Sequence, residues 1–108
     1  MKNLFLAIST FFLFISCNEK LANNILVSNP SELKDAIKNA KPGDDIVLKD
    51  GIWKDVQIEF SAKGTKDNLI TLRAETPGKV FIEGVSNLSF GGEYLVVSGL
   101  YFRNGYSP

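Results

Sequence analysis

Two pairs of charged residues share one spacing and are the first candidates for chemistry. Lys49 and Arg73 have the same separation in the sequence as Glu59 and Glu83. If residues at this spacing stack on adjacent strands, the two cations can attract an anionic sugar chain. The two carboxylates can bind calcium, which prefers oxygen ligands. Charged side chains are mostly solvated. For both pairs we therefore favour the simpler interpretation that they lie on a solvent-exposed outer face of the fold and bind nothing.

Aromatic and acidic residues supply two further candidates. Trp53, together with Tyr101 and Tyr106, offers aromatic surface on which a sugar ring can stack. A single tryptophan after a turn glycine is more typical of a packing anchor, and that is the interpretation we favour. The adjacent carboxylates Asp44 and Asp45 are predicted to lie at a turn between a helix and a strand.

The composition excludes several kinds of site. The 108-residue chain has no histidine and one cysteine, which rules out a histidine-based triad, a zinc site built on histidine or paired cysteines, and an internal disulfide. Its basic and acidic residues number 12 each, so there is no reason to expect nucleic acid as a partner. The hydrophobic fraction of 44% is typical of a globular chain, and the length allows at most one domain.

The N-terminal segment is predicted to direct export. Lys2 precedes an almost wholly apolar stretch, residues 4–15, which has the length of a signal-peptide core and is too short to span a bilayer. The sequence Phe-Ile-Ser-Cys at residues 14–17 resembles a bacterial lipobox, with phenylalanine where leucine is usual. The resemblance implies a lipoprotein-type signal peptide over residues 1–16 and a lipid on Cys17. An exported cell-envelope lipoprotein would then be held by outer-membrane lipid; the alternative is a plain secretory signal and a secreted protein.

One amphipathic helix is predicted after a polar tether, residues 17–24, and a short strand, residues 25–27. Asn29 is a suitable N-cap and Glu32 completes a capping box, so the helix is predicted to begin there. A Pro-Gly pair at residues 42–43 is expected to stop it. Its apolar positions recur at helical spacing: Leu33, Ala36, Ile37 and Ala40. We expect this helix to cap the end of the fold; the alternative is a partner-binding helix.

Residues of similar type recur at a fixed distance in the middle of the chain. Five pairs share one separation in the sequence: Ile46 and Ile70, Leu48 and Leu72, Val56 and Val80, Ile58 and Ile82, Glu59 and Glu83. A fixed period in the range of about 20–50 residues is typical of a solenoid, in which each repeat forms one coil stacked on the last. Each repeat has two short alternating strands and no helix. The predicted fold class is therefore all-β, a right-handed parallel β-helix whose opening coils follow an N-terminal capping α-helix.

Side-chain alternation predicts which residues face the core of each coil. A turn at residues 50–51 separates the two strands of the first coil, and a polar loop at residues 61–68 leads to the second. Residues 88–90 indicate a short third side. A third coil is predicted at residues 94–97 and 99–102, with its register shifted by one residue. The inward residues of the first coil are predicted to be Ile46, Leu48, Val56, Ile58 and Phe60.

The repeat pattern continues to residues 104–108 without a closing helix. Each coil of a solenoid buries its apolar side chains only when a neighbouring coil covers them, and stability usually needs caps at both ends. We therefore expect residues 25–108 to be the N-terminal cap and first coils of a longer β-helix, truncated here.

A series of short motifs carries a resemblance to a known family. They occur in one order at one spacing, at residues 41–44 (Lys-Pro-Gly-Asp), 50–55 (Asp-Gly-Ile-Trp-Lys-Asp), 70–74 (Ile-Thr-Leu-Arg-Ala), 77–80 (Pro-Gly-Lys-Val) and 99–105 (Gly-Leu-Tyr-Phe-Arg-Asn-Gly). Together they resemble the start of polysaccharide lyase family six, the alginate lyase and chondroitinase B group. The resemblance implies a right-handed parallel β-helix that cleaves acidic polysaccharides by β-elimination. It also implies a lysine base, an arginine acid and a calcium ion that neutralises the substrate carboxylate.

The resemblance places no catalytic, cofactor-binding or metal-binding residue in this chain. In the family the motif that carries these groups lies several coils further on, and Arg73 and Arg103 match no catalytic position. The expected function is that of the N-terminal part of a secreted or lipid-anchored lyase acting on alginate or a related uronate polymer. Calcium is expected in the full-length protein, and this chain alone is expected to be inactive. The alternative is a non-catalytic β-helix surface module that binds glycans.

Overall fold

A computed structural model describes residues 23–105 of the chain. The predicted signal peptide, Cys17 and Tyr106 lie outside the described residues. The described residues form one helix and nine strands in this order: β1 (Asn23–Val27), α1 (Pro30–Lys38), β2 (Asp44–Leu48), β3 (Gly51–Lys54), β4 (Gln57–Lys63), β5 (Ile70–Ala74), β6 (Val80–Gly84), β7 (Asn87–Glu93), β8 (Leu95–Ser98) and β9 (Leu100–Gly105).

The strands form three parallel sheets that wind around one core. Sheet 1 has the order β1-β2-β5-β8, sheet 2 has the order β3-β6-β9, and sheet 3 pairs β4 with β7. Consecutive strands enter different sheets, and each turn of the chain adds one strand to each sheet. This winding is that of a parallel β-helix, so the predicted fold class is confirmed. The prediction of two strands per coil is wrong, because a complete coil has three, but the short third side predicted at residues 88–90 is confirmed and lies within β7.

The predicted period is also wrong. In sheet 1, Ile46 pairs with Leu72 and not with Ile70. In sheet 3, Ile58 pairs with Leu88, which lies further along the chain than the predicted partner, Ile82. In these two pairs the offset is longer than predicted, whereas between β6 and β9 it is shorter, because the connections between strands differ in length. In the two pairs above the offset changes by an even number of positions, which keeps the same face of the strand inward, so apolar residues still stack on apolar residues there.

The other predicted stacked pairs separate for the same reason. Leu48 pairs with Ala74 and not with Leu72. Val80 opens β6 and pairs with Gly51 in sheet 2, whereas Val56 immediately precedes β4 in sheet 3. Ile82 likewise lies in sheet 2, away from Ile58. The inward faces were therefore predicted correctly, while the identity of the neighbours was not.

The core is a continuous stack of apolar side chains enclosed by the three sheets. Trp53 points into it from sheet 2, is 5% exposed, and donates from Nε1 to the backbone oxygen of Lys49 at 3.0 Å. This confirms the interpretation of Trp53 as a packing anchor. The side chains that are at most 2% exposed include Ile46, Leu48, Val56, Ile58, Phe60, Ile70, Leu72, Ala74, Val80 and Ile82.

Helix α1 covers the N-terminal end of this stack. The side-chain oxygen of Asn29 accepts from the backbone nitrogen of Glu32 at 2.9 Å, as expected of an N-cap. Glu32 accepts in turn from the backbone of Ser28, one residue before the cap. Leu33 and Ile37 are buried, and the helix contacts β1, β2 and β4. Within the described part of the chain, no helix is long and apolar enough to cross a membrane.

Three boundaries differ from the prediction. Strand β1 begins at Asn23, so the last two residues of the predicted tether pair with β2. Helix α1 ends at Lys38, before the Pro-Gly pair, because Asn39 acts as its C-cap. Strand β4 continues through Lys63, so the polar loop is shorter than predicted and spans residues 64–69.

Left-handed backbone conformations recur near the ends of the sheet 2 strands. Asp55 directly follows β3 and Gly84 ends β6, forming two successive corners with φ values of 54° and 75°, and Asn104 lies one residue before the end of β9 with a φ of 51°. Glycine adopts this left-handed region without strain, and Asp and Asn tolerate it better than most other residues. The Oδ1 atom of Asp55 accepts from the backbone nitrogen of Val85 at 2.7 Å and so joins the first corner to the second.

Candidate functional site

The predicted carboxylate pair does not form. Glu59 lies on β4, where it pairs with Ser89 in sheet 3. Glu83 lies on β6, where it pairs with Lys54 in sheet 2. The predicted offset fails here as it does in the core, so the two carboxylates belong to different sheets. Across residues 23–105, no group of three or more histidine, cysteine or acidic side chains is placed to hold a metal ion.

The predicted stack of Lys49 on Arg73 does not form either. Arg73 pairs in register with Val47, and Lys49 follows the end of β2. The Nε atom of Arg73 donates to both carboxylate oxygens of Asp45, at 3.0 and 2.9 Å, and Nη1 donates to the backbone oxygen of Ala74 at 3.3 Å. The outer face of sheet 1 thus carries an arginine held against its own sheet by an ion pair.

The two adjacent aspartates open β2 directly after the helix-to-strand turn, as predicted. Asp44 is 4% exposed and accepts from the backbone nitrogen of Lys41 at 2.9 Å and from the side-chain amide of Asn23 at 3.3 Å. Buried carboxylates need such partners. Asp44 therefore closes the turn between α1 and β2, while Asp45 points outward to Arg73.

A second arginine site, which sequence reasoning missed, lies on the outer face of sheet 2. Arg103 donates from Nε to Oε2 of Glu83 at 2.6 Å. Its guanidinium carbon lies 3.8 Å from the centroid of the Phe81 ring and 5.9 Å from that of Tyr101. The alternation of inward and outward side chains along β6 and β9 could have identified this pair, but only if the register between the two strands had been known. Trp53 points inward, so it shares no surface with Tyr101.

A groove of about 390 Å³ lies between α1 and β4. Leu33, Ile37 and Ile58 are among its apolar lining, and Lys34, Lys38 and Glu59 are among the charged residues along it. Beyond this mixture of apolar and charged lining, nothing in the groove selects a particular ligand.

The described residues therefore place charged groups on two outer faces. Each face holds one guanidinium group in a fixed orientation by pairing it with a carboxylate from the preceding coil. A guanidinium group always carries its charge and is suited to recognising carboxylates. Anionic groups can therefore bind where the donor nitrogens of a guanidinium group remain unused, which within residues 23–105 holds for Nη1 and Nη2 of Arg103 but not for Nη1 of Arg73.

A family model described as chondroitinase B matches residues 27–108 of the chain. Among solved structures, the PL6 family alginate lyase AlyGC is 53% identical, with a TM-score of 0.76, over 79% of this chain and 12% of that chain. A PL6 family polysaccharide lyase from Pseudopedobacter saltans is 51% identical, with a TM-score of 0.73, over 75% of this chain and 19% of that chain.

A mannuronic acid specific family 6 lyase from human gut microbiota is 33% identical, with a TM-score of 0.65. The match covers 77% of this chain and 20% of that lyase. The chain therefore spans between one eighth and one fifth of the length of these three lyases. The search of curated proteins found no match. Because the family model matches most of its length, the chain belongs to the chondroitinase B family, and the predicted resemblance to polysaccharide lyase family 6 is confirmed.

Proposed function

We propose that this chain is the N-terminal part of a polysaccharide lyase that cleaves alginate or a related uronate polymer by β-elimination. The observation that carries the proposal is 53% identity to an alginate lyase over 79% of the chain. The mannuronic acid specific relative supports the same class of substrate. In this proposal the chain supplies the cap and the opening coils on which the rest of the β-helix is stacked.

The proposed reaction removes the proton next to the uronate carboxylate and expels the glycosidic oxygen from the adjacent carbon. The intermediate has enolate character, so a cation must stabilise its charge. The base must accept a proton at neutral pH, which a lysine does when its pKa is lowered by neighbouring cations or by burial. We propose that the lysine base and the arginine acid lie in coils beyond Pro108, because the family motif that carries them has no counterpart in this sequence.

Calcium does not fit the residues described here. Its sites need several oxygen ligands at about 2.3–2.6 Å, and the one carboxylate pair considered for this role is split between two sheets. Asp45 and Glu83 are each paired with an arginine. We propose that any calcium ion of the full-length lyase is held by later coils, and no step of the reaction is assigned to residues 23–105.

The proposal is tested by expressing the chain together with the reading frame that follows Pro108. β-Elimination leaves an unsaturated uronate, so ultraviolet absorbance is expected to rise when the protein meets alginate. Oligomannuronate, oligoguluronate and a galactosaminoglycan, tested separately, identify the substrate. A neutral glucan is the matched control and gives no rise.

The same assay on residues 1–108 alone is expected to show no activity. Absence of a rise by the longer protein with every uronate polymer would contradict the lyase proposal. Alginate binding without elimination would instead support the alternative function, a non-catalytic module that binds glycans.

We also propose that the protein is exported and anchored through a lipid on Cys17. The support is the sequence alone, an apolar stretch at residues 4–15 followed by the single cysteine. Globomycin, which blocks lipoprotein signal cleavage, is expected to make the precursor accumulate in cells. The variant Cys17→Ser is the matched control and is expected to lose membrane association. A precursor processed normally in the presence of globomycin contradicts the anchor.

A further inference from the structure

The outer face of sheet 2 combines apolar surface with charge in two columns that run along the β-helix axis. Ile52, Phe81 and Tyr101 form one column, in which register pairs Ile52 with Phe81 and Phe81 with Tyr101. Ile52 is 61% exposed and Tyr101 is 50% exposed. The second column contains Lys54, Glu83 and Arg103.

Arg103 is held in place by the two residues that it contacts on β6. Its Nε donates to Glu83, whose side chain is only 15% exposed, and its guanidinium group lies over the ring of Phe81. No hydrogen bond within residues 23–105 uses Nη1 or Nη2 of Arg103, and its side chain is 36% exposed. Two donor nitrogens of a fixed guanidinium group therefore remain available at the surface.

The other ion-paired arginine does not have this arrangement. Arg73 uses Nε for both oxygens of Asp45 and Nη1 for a backbone oxygen, and no aromatic contact of its guanidinium is present among the described residues. Arg103 instead lies beside the exposed ring of Tyr101, and Lys54 adds a second positive charge next to Glu83. The Lys54, Glu83 and Arg103 column thus carries one net positive charge.

We propose that this face of sheet 2 binds one uronate unit of an acidic polysaccharide. The uronate carboxylate accepts hydrogen bonds from Nη1 and Nη2 of Arg103, and the sugar ring packs on Tyr101. Charge-assisted, two-pronged pairing of a guanidinium group with a carboxylate is among the stronger hydrogen-bonded contacts. The choice of a uronate polymer over other anions rests on the proposed function; the position of the site rests on the geometry of Arg103.

The experiment is electrophoresis of the folded protein through native gels that contain alginate, with neutral dextran gels as the reference. The dissociation constant follows from the retardation at several alginate concentrations. Arg103→Gln is expected to raise the dissociation constant for alginate about tenfold, which is the effect of losing one charge-assisted contact of about 1.4 kcal/mol. Arg73→Gln makes the same change of charge on sheet 1 and is expected to leave it unchanged.

Arg103→Lys keeps the charge and the pairing with Glu83 but loses the fork of two donors. It is expected to raise the dissociation constant several-fold without lowering the thermal unfolding midpoint, which separates a binding role from a structural one. If Arg103→Lys binds alginate with the same dissociation constant as the wild-type protein, the proposal is overturned. Equal losses from Arg103→Gln and Arg73→Gln would also overturn it, since they indicate general attraction between charges.

Two further outcomes separate this inference from the lyase proposal. Elimination of alginate by the longer protein, combined with unaltered alginate binding by both Arg103 variants, overturns the site and leaves the lyase function standing. A change of oligomeric state in the Arg103 variants, with no retardation of the wild-type protein by alginate, shows that the face contacts protein and overturns the site.

Discussion

Phe60 and Phe90 occupy the same position in consecutive coils, yet their surroundings differ sharply. The two residues pair in register between β4 and β7, and their rings meet edge to face with centroids 6.0 Å apart. Phe60 is fully buried, whereas Phe90 is 53% exposed. Phe60 belongs to the coil that lies beneath a second coil. Within residues 23–105, no strand pairs with the far edge of β7.

The same contrast holds between the first and last coils as a whole. Ile46 and Leu48 on β2 are fully buried, while Leu95 and Val97, which belong to β8, are only partly buried. Full burial in this fold thus requires a covering coil in addition to an inward position, as expected of a solenoid.

The largest expected effect that tests this comparison is that of Phe60→Ala. Removing a fully buried phenylalanine leaves a cavity between two coils, and such changes cost about 3–5 kcal/mol. The free energy of unfolding, measured by chemical denaturation, should fall by this amount. If the free energy of unfolding falls by less than about 1 kcal/mol, the side chains around Phe60, between the two coils, are not close-packed.

An intermediate effect is expected at the capped end. Leu33 is 2% exposed and packs under the first coil. Leu33→Ala should lower the free energy of unfolding by about 2–3 kcal/mol, near the lower end of the range for buried leucines, because the adjacent groove lets neighbours relax into the space.

The exposed Lys34 on the same helix provides the matched control for the cap. Lys34→Ala should change the free energy of unfolding by less than about 0.5 kcal/mol. If the Leu33 and Lys34 variants have equal stability, α1 does not cover the coil in solution.

The smallest effect is expected for Phe90→Ala, because about half of the ring remains in solvent in the folded chain. Burial of a whole phenylalanine side chain contributes about 1.5–3 kcal/mol, so the loss should be near 1 kcal/mol. The same denaturation experiment measures it beside Phe60→Ala. Equal losses at the two positions would show that something covers the last coil in solution.

Local signals in the sequence were sufficient for the cap and for the inward faces. The side chain of Asn29 and the apolar spacing from Leu33 act within one helix, so α1 was predictable apart from its end. Alternation along β4 correctly identified Ile58 and Phe60 as core residues. These features depend only on neighbours in the chain.

Register and ion pairing were not predictable from one sequence. The spacing of stacked residues is set by the lengths of the connections, which differ on each side of the coil, and a bulge shifts β9 against β6. Without that register, Glu83 was predicted to stack on Glu59, whereas its partner is Arg103. Long-range pairs of this kind become visible only once the coils are assembled.

The connections between strands also determine where the protein can tolerate inserted residues. At the corner before sheet 3, Asp55 alone has a left-handed backbone conformation. An extra residue inserted there would shift the following strand by one position and turn its apolar face to water. Residues 65–69 are exposed, and a hydrogen-bonded turn between Thr65 and Asn68 carries Lys66 and Asp67 at its tip. Extra chain inserted at that tip lengthens a surface loop at a cost of only about 0.6 kcal/mol per doubling of its length. Insertions at the connection from sheet 3 to sheet 1 can therefore add surface features to this β-helix without changing the register in which the coils stack.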